Sequence, residues 1–176
     1  ANHTIPHNLG VVPEFFAIKS LEDGENWAVY HKGTHASPET MMLKLNATSA
    51  NADVDSFLND VAPTSSVINL GVYSRVNEND ETFIAYCWAS VDGYSKVGSY
   101  TGNDSSNGTF VYTSFAPSLV ILKYTSGTAG GTKNWHMYDN KRSTYNPTEN
   151  VLFANESTAE SGASAFDIDF LSNGFK

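Results

Sequence analysis

Short apolar runs alternate with polar, turn-forming segments along the whole of this 176-residue chain. Many of the runs are rich in Val, Ile, Phe and Tyr, and several alternate apolar and polar positions, which is typical of half-buried β-strands. The segments between them, such as EDGEN and GNDSSNG, carry the Gly, Asn and Asp residues of turns. The pattern predicts an all-β protein, an antiparallel β-sandwich or barrel, with strands in FFAIK, WAVYH, MMLKL, SVINL, TFIAYCWA, KVGSY, FVY, LVILKY, WHMY, VLFA and FDIDF.

The chain consists of two related halves. The segment VVPEFFAIK near the N-terminus is matched by FAPSLVILK, and GENWAVYHK is matched by TKNWHMYDN, so that both halves keep an N-W-x-x-Y signature. Further on, Asn46 aligns with Asn155. A period of this length indicates a duplicated structural unit. We therefore predict two β-sandwich repeats, residues 1–96 and residues 97–176.

The alignment also predicts a difference between the two repeats. In the first repeat TFIAYCWA follows SVINL and has the composition of a well-buried strand, in which we expect Tyr86 to be buried and Cys87 to be a buried structural thiol. The second repeat reaches Lys176 without a counterpart of this segment. We expect a longer polypeptide or a neighbouring chain to supply the missing strand, because an open sheet edge invites pairing. In the second repeat itself, Ile121 is expected to be buried.

The charge balance argues against several classes of partner. The formal net charge is −9, which repels nucleic-acid phosphates and anionic membrane surfaces. No apolar run approaches the ~18 residues of a membrane-spanning helix, so neither nucleic-acid binding nor membrane insertion is expected. Cys87 is the single cysteine, so no disulfide joins two positions of this chain.

Seven segments stand in one order along the chain: HNLGVVPEFFAIK, NWAVYHK, GYSKVGSYTGN, FAPSLVILK, NWHMYDNKR, YNP and FLSNGFK. In these segments the chain resembles an uncharacterised repeat family of tail-fibre and other virion proteins of tailed phages, and the similarity covers nearly all of it. The resemblance implies a lectin-like or jelly-roll β-sandwich at a virion surface and brings no established catalytic residues. In that family the second half usually continues past NGFK through a further hairpin.

Candidate chemistry in the sequence is sparse. FDIDFLS places Asp167 and Asp169 on one face of a strand, as in the E-x-D-x-x-E motif of some lectin-like glycoside hydrolases, but Ser172 stands where the second catalytic carboxylate is required. We therefore assign no catalytic residues. His31 and His35 lie four residues apart without a third ligand nearby, so no metal site is assigned. No cofactor is expected; Ca²⁺ is the metal that the oxygen-rich loops VNENDET and TGNDSSNG favour, although neither has the order of a dedicated calcium loop.

Seven residues are the candidates for ligand or interface contacts. Aromatic rings with polar neighbours suit carbohydrate recognition, but a shared role in folding is favoured because both repeats keep them. Residues three apart on a strand face opposite sides of a sheet, so at most one member of each Trp/Tyr pair points inward. The loop YDNKRSTYNP differs most from its counterpart and places Arg beside acidic and aromatic residues, a combination that suits interfaces. The candidates are Trp27, Tyr30, Trp135, Tyr138, Asp139, Arg142 and Tyr145.

The function that these observations and the resemblance favour is that of a non-enzymatic structural or adhesive module at a virion surface, in a tail fibre or a capsid decoration. Its expected partners are other virion proteins and a host-surface glycan, and a homo-oligomer, with a trimer favoured, is expected from the resemblance. A carbohydrate-binding module proper is the first alternative, and a polysaccharide-degrading glycoside hydrolase is the second.

Overall fold

The computed structural model describes residues 3–127, 133–162 and 166–176. Over these residues the protein is nearly all β, in four antiparallel sheets with two short helices. The fold class predicted from the alternating pattern, an antiparallel all-β sandwich, is confirmed. SANADVDSFLND contains a short helix, and KVGSY, expected to be a strand, forms none.

The first repeat is built on a five-stranded sheet. The strands are β1 (His3–Pro6), β2 (Phe15–Ser20), β3 (Ala28–His31), β4 (Met41–Lys44), β5 (Ala52–Asp53), β6 (Val67–Leu70) and β7 (Phe83–Trp88). The helices are α1 (Asp55–Leu58) and α2 (Ser74–Asn77), and a 3₁₀ turn spans Pro38–Thr40. The large sheet has the order β5-β4-β3-β2-β7, while β1 pairs with β6 in a separate two-stranded sheet.

One face of the five-stranded sheet forms the main core. Alternate residues of a strand point to the same side, so Phe16 and Ile18 of β2 lie together with Tyr30 of β3 on this inner face. They pack against the helices and β6, through Phe57 of α1 and Ile68 of β6. The short helices are stabilised by this tertiary packing, because a single helical turn is not stable alone.

The second repeat has a four-stranded sheet and a smaller three-stranded one. Its strands are β8 (Val111–Tyr112), β9 (Leu119–Lys123), β10 (Trp135–Asp139), β11 (Asn150–Phe153), β12 (Ser161–Gly162), β13 (Phe170–Leu171) and β14 (Gly174–Phe175). The sheet orders are β12-β11-β10-β9 and β13-β14-β8. Val120, Tyr138 and Val151 of the larger sheet pack against Ile168 and Phe175.

The two large sheets have corresponding strand orders, as the sequence repeat predicts. The order β5-β4-β3-β2 of the first sheet corresponds to β12-β11-β10-β9 of the second. The fifth strand, β7, pairs with β2, and within the described parts of the chain no strand occupies the equivalent position beside β9. Each sheet takes all its strands from one side of the predicted boundary between residues 96 and 97; the division into two domains itself stays a prediction.

Trp135 joins the two repeats. It begins β10 of the second repeat, is 3 % exposed, and packs against Ala17, Val29 and Leu43 on the outer face of the five-stranded sheet. Its indole Nε1 donates a hydrogen bond of 2.9 Å to the backbone carbonyl of Lys44. A buried indole with its N–H satisfied contributes a large apolar area without an unpaired donor, so Trp135 is part of a core shared by both repeats.

The two aligned asparagines, Asn46 and Asn155, each accept a hydrogen bond from the backbone of the aligned tryptophan. Asn155 Oδ1 accepts a hydrogen bond of 2.7 Å from the backbone N–H of Trp135, and in the first repeat Asn46 Oδ1 accepts the equivalent bond of 3.1 Å from Trp27. Asn155 Nδ2 also donates to Asn134 Oδ1 at 2.9 Å. The two N-x-S/T sequons at Asn46 and Asn155 therefore mark a structural turn that both repeats use.

Replacing Asn155 by alanine is expected to lower the free energy of unfolding by about 1–3 kcal/mol, because it leaves buried donor and acceptor groups without partners. Asn46→Ala is the matched control, since Asn46 is exposed and water can replace its side chain; its cost should be below about 1 kcal/mol. Chemical denaturation of both variants measures the difference. Equal costs would show that burial does not set the strength of this contact.

Candidate functional site

Three of the seven predicted contact residues lie in the interior. Tyr30 stacks on Phe16 with ring centroids 4.7 Å apart and an interplanar angle of 11°, and burial raises its pKa to about 12. Burial also raises the pKa of Tyr138, which packs in the core of the second repeat. Tyr30, Tyr138 and Trp135 are thus corrected from candidate contacts to core residues: the two tyrosines lie in the cores of their own repeats, and Trp135 is covered by the five-stranded sheet of the first repeat.

Asp139 ends β10, and the loop after this strand contains Arg142 and Tyr145. Asp139 Oδ1 accepts hydrogen bonds from the backbone N–H groups of Lys141 and Arg142 at 2.9 and 3.0 Å, and its Oδ2 accepts one from Arg142 Nε at 2.6 Å. Partial burial opposes ionisation of Asp139, but these hydrogen bonds prevail and lower its pKa. Arg142 also forms an ion pair with Glu160, with Nη1 3.5 Å from the Glu160 Oε2. Asp139 and Arg142 therefore order the loop, and Tyr145 extends from it into solvent.

Trp27, the remaining candidate, belongs to a row of aromatic rings on the outer face of the five-stranded sheet. Its ring lies 6.1 Å from that of Tyr86 at an interplanar angle of 26°, and Tyr86 lies 6.0 Å from Trp88 at 22°. Trp88 in turn packs against Phe15, with centroids 5.3 Å apart. Tyr86 and Trp88 are 43 % and 46 % exposed. We call these four residues, Phe15, Trp27, Tyr86 and Trp88, the aromatic row.

Strand register explains why these rings meet. Phe15 of β2 is opposite Trp88 of β7, and Ala17 of β2 is opposite Tyr86 of β7. The side chains of these two cross-strand pairs therefore share one face of the sheet. Ala17 has no side chain beyond its methyl group, which leaves room for the Trp27 and Tyr86 rings on either side of it. The expectation that Tyr86 is buried is therefore wrong: β7 is an edge strand, and Trp135 covers the sheet farther in.

A polar cluster adjoins the Trp88 end of the row. Glu14 accepts hydrogen bonds from the backbone N–H of Ser90 at 2.9 Å and from the Ser90 hydroxyl, and it pairs with Lys32 Nζ at 2.5 Å. Partial burial alone would raise the pKa of Glu14, but the bonds from Lys32 and Ser90 outweigh it and lower the pKa. The Glu14 N–H also bonds to the carbonyl of Trp88 at 2.8 Å. The cluster thus meets the aromatic row through the backbone, while the charge of Glu14 also acts on Tyr30 of the inner face.

The other sequence candidates are in structural or open positions. His31 Nδ1 accepts a hydrogen bond of 2.9 Å from the Gly33 N–H, and burial lowers the pKa of His31. In the described ranges, no three His, Cys, Asp or Glu side chains are grouped to hold a metal ion. Asp169 exchanges two backbone hydrogen bonds with Lys176, and the two side chains lie 4.0 Å apart. Asp167 lines an open cleft of about 440 Å³.

Sequence reasoning missed Tyr86 and Trp88 as surface residues. The signal was present: in FIAYCW the aromatic residues at positions 86 and 88 alternate with Ala85 and Cys87. Cys87 packs against the inner core, where burial raises the pKa of its thiol. The run looked like a buried strand because both of its faces are apolar. Only the strand order shows that one of those faces is partly open to solvent.

Fold and site together define an all-β, sandwich-like protein with an exposed aromatic row beside a polar cluster. The model of the family described as "Domain of unknown function (DUF7483)" matches residues 1–176, so the chain belongs to that family. Searches against curated proteins and solved structures gave no match. No helix among the described residues is both long and apolar enough to cross a membrane.

Proposed function

We propose that this protein is a non-enzymatic adhesion module of a phage particle, which binds a host-surface glycan through the aromatic row. The observation that carries the proposal is the pair of exposed rings, Tyr86 and Trp88, held nearly parallel on a sheet face. Rings fixed by a sheet lose little conformational entropy on binding, so they form an effective platform for an apolar ligand surface.

The chemistry of the site suits a sugar. A pyranose ring presents an apolar face of C–H groups, which stacks on indole and phenol rings, and hydroxyl groups at its edge. At the Trp88 end of the row, Glu14 and Ser90 can accept hydrogen bonds from such hydroxyls, and Lys32 can donate to them. Because Glu14 is already oriented by Ser90 and Lys32, the polar contacts are ordered before the ligand arrives. This arrangement also supports a carbohydrate-binding module proper, in which the affinity resides in this chain alone.

The virion setting rests on the motif resemblance, not on the site. A phage module of this kind acts outside the cell, at the particle surface, where its partners are host glycan and neighbouring virion proteins. Its net charge of −9 disfavours capture by phosphate-rich polymers. The broad polar surface and the aromatic row are compatible with both a tail fibre and a capsid decoration.

Substituting Trp88 is expected to abolish most glycan binding. On an array of bacterial surface polysaccharides, the unmodified chain should bind a subset saturably, and Trp88→Ala should weaken that binding by about tenfold or more, as loss of a central aromatic contact does. Tyr145→Ala is the control, because Tyr145 is an aromatic residue more exposed than Trp88 and lies outside the row. The affinity of this variant should stay within about twofold of that of the unmodified chain.

Two results would contradict the proposal. If Tyr145→Ala loses binding and Trp88→Ala retains it, the loop after β10 is the site rather than the aromatic row. If the isolated chain releases reducing sugars from a bound polysaccharide, and Asp167→Asn stops the release, the protein is a glycoside hydrolase. Circular dichroism of each variant establishes that the fold is intact before binding is compared.

A further inference from the structure

Strand β9 has an open edge at the position where the first repeat is covered. In the first repeat β2 pairs with β7 over six residue pairs, from Phe15 with Trp88 to Ser20 with Phe83. Its counterpart β9 pairs with β10 on one side, and no strand in the described ranges pairs with its other side. The unpaired backbone N–H and C=O groups of an edge strand are a template for another strand.

The side chains of β9 leave this edge unprotected. Leu119 and Ile121 are 55 % and 50 % exposed, so the expectation that Ile121 is buried is wrong. Its counterpart in β2 is the buried Ala17. Natural edge strands usually carry a charge, a proline or a bulge that discourages pairing, and the segment from Leu119 to Leu122 has no charged residue and no proline.

Lys123, at the end of β9, does not protect the edge. Its Nζ donates a hydrogen bond of 3.1 Å to the carbonyl of Thr48 and a second one to the carbonyl of Lys133, and it lies 5.8 Å from the centre of the Trp135 ring. Burial there, together with the neighbouring Lys133, lowers the pKa of Lys123 to about 8. The one cationic side chain of the strand is thus directed toward the junction with the first repeat.

Strand β7 offers a complementary edge. It pairs with β2 on one side, and on its other side no strand is paired within the described residues. From Phe83 to Trp88 it also lacks charged residues and proline. In the first repeat β7 already pairs through its other edge with β2, the counterpart of β9. Its small, apolar and aromatic side chains are therefore compatible with pairing beside a strand of the β2 and β9 type.

We propose that β9 of one copy of this chain pairs antiparallel with β7 of a second copy. The contact joins the five-stranded sheet of one copy to the four-stranded sheet of the next in one continuous antiparallel sheet. It uses two different surfaces, so it is heterologous and generates a ring or an open array rather than a two-fold dimer.

The size and charge of the contact set its strength. Pairing along five or six residues buries less surface than the ~1,200–2,000 Å² of a stable interface, so the association should be weak. Each copy carries a net charge of −9, and salt screens the repulsion between copies. Association should therefore become stronger as ionic strength rises, the opposite of a contact formed by ion pairs.

Sedimentation velocity from about 1 µM to about 1 mM protein tests the contact, since a weak interface has a Kd within this range. The unmodified chain should associate beyond a dimer as its concentration rises. Ile121→Lys and Tyr86→Lys each place a charge on one of the two edges, at positions of similar exposure. Each variant alone should associate at least about tenfold more weakly than the unmodified chain. Val72→Lys is the control, because Val72 is exposed in a loop outside both strands.

Mixing the two edge variants distinguishes the possible contacts. The Ile121→Lys copy retains an intact β7 and the Tyr86→Lys copy retains an intact β9, so the mixture should form a one-to-one dimer and no larger species. If Tyr86→Lys associates as well as the unmodified chain, β9 pairs with a second β9 and the proposal is wrong. Failure of the unmodified chain to associate at any concentration or salt would also overturn it, and would leave a strand from another polypeptide as the occupant of the β9 edge.

Discussion

Replacing Trp135 by alanine is expected to lower the free energy of unfolding by about 3–5 kcal/mol, the range for loss of a fully buried aromatic residue. The change removes the ring that packs on Ala17, Val29 and Leu43, and it leaves the Lys44 carbonyl without its 2.9 Å donor. Because Trp135 belongs to one repeat and its contacts to the other, both repeats should lose stability. Denaturant unfolding, followed by tryptophan fluorescence and by circular dichroism, measures this loss.

Trp27→Ala is the matched control for this prediction. Trp27 has the equivalent position in the first repeat and the equivalent backbone hydrogen bond to an asparagine, but it is only half-buried. Its replacement should cost less than about half as much, since it leaves a smaller cavity. A larger loss at Trp27 than at Trp135 would contradict the packing of Trp135 between the two sheets.

Replacing Gly71 by alanine is expected to destabilise the fold by about 3 kcal/mol or more, at the upper end of overpacking costs. A Cβ atom at this position would lie 2.0 Å from the backbone oxygen of Ser56 in α1. That oxygen cannot move aside easily, because it accepts a hydrogen bond from the Tyr73 N–H, while the Gly71 N–H bonds to the carbonyl of Phe57. Thermal unfolding monitored by circular dichroism is the measurement.

Gly24→Ala provides the comparison for Gly71. Gly24 lies in the loop between β2 and β3, and a Cβ atom there has no neighbouring atom within 4 Å. Its replacement should change stability by less than about 1 kcal/mol, and in the favourable direction, because alanine restricts the unfolded chain. If Gly71→Ala unfolds at the same temperature as Gly24→Ala, α1 does not pack against the end of β6 as described.

The aromatic row and the β9 edge have different roles in the proposed function. The row would bind a ligand through side chains on a sheet face, whereas the β9 edge would bind another strand through its backbone. Tyr86 and Trp88 belong to both, since they lie in the row and on the edge strand β7. Trp88→Ala tests the row and Ile121→Lys tests the edge, so failure of one proposal leaves the other standing.

The positions of most strands along the chain were predictable from the local pattern of apolar and turn residues. The run FFAIK predicts the strand β2, but not which of its faces is the inner one, because both faces are largely apolar: Phe16 and Ile18 lie in the main core, whereas Phe15 lies on the outer face. The alignment of the two halves predicted that β9 corresponds to β2, and among the residues that the structure describes no counterpart of β7 lies beside it. Turn residues and period-two alternation act over a few residues, which is why a sequence reveals them.

The candidate site was predicted only in part. The opposite orientation of Trp27 and Tyr30 followed from their spacing, and the structure confirms it. The expectation that at most one member of each pair points inward is wrong for Trp135 and Tyr138, which are both 3 % exposed. The repeats differ in the tryptophan: Trp27 is half-buried, whereas Trp135 is enclosed. The two residues have the same sequence context, so the difference depends on what packs against each sheet.

The sequence by itself determined the all-β class, the duplication, the positions of most strands and the residues that line each strand face. Tertiary structure alone decided that Trp135 packs on the other repeat, and that Tyr86, Trp88 and Ile121 are partly exposed. The physical reason is range: alternation and turn chemistry depend on neighbours along the chain, whereas burial depends on contacts between strands far apart in sequence.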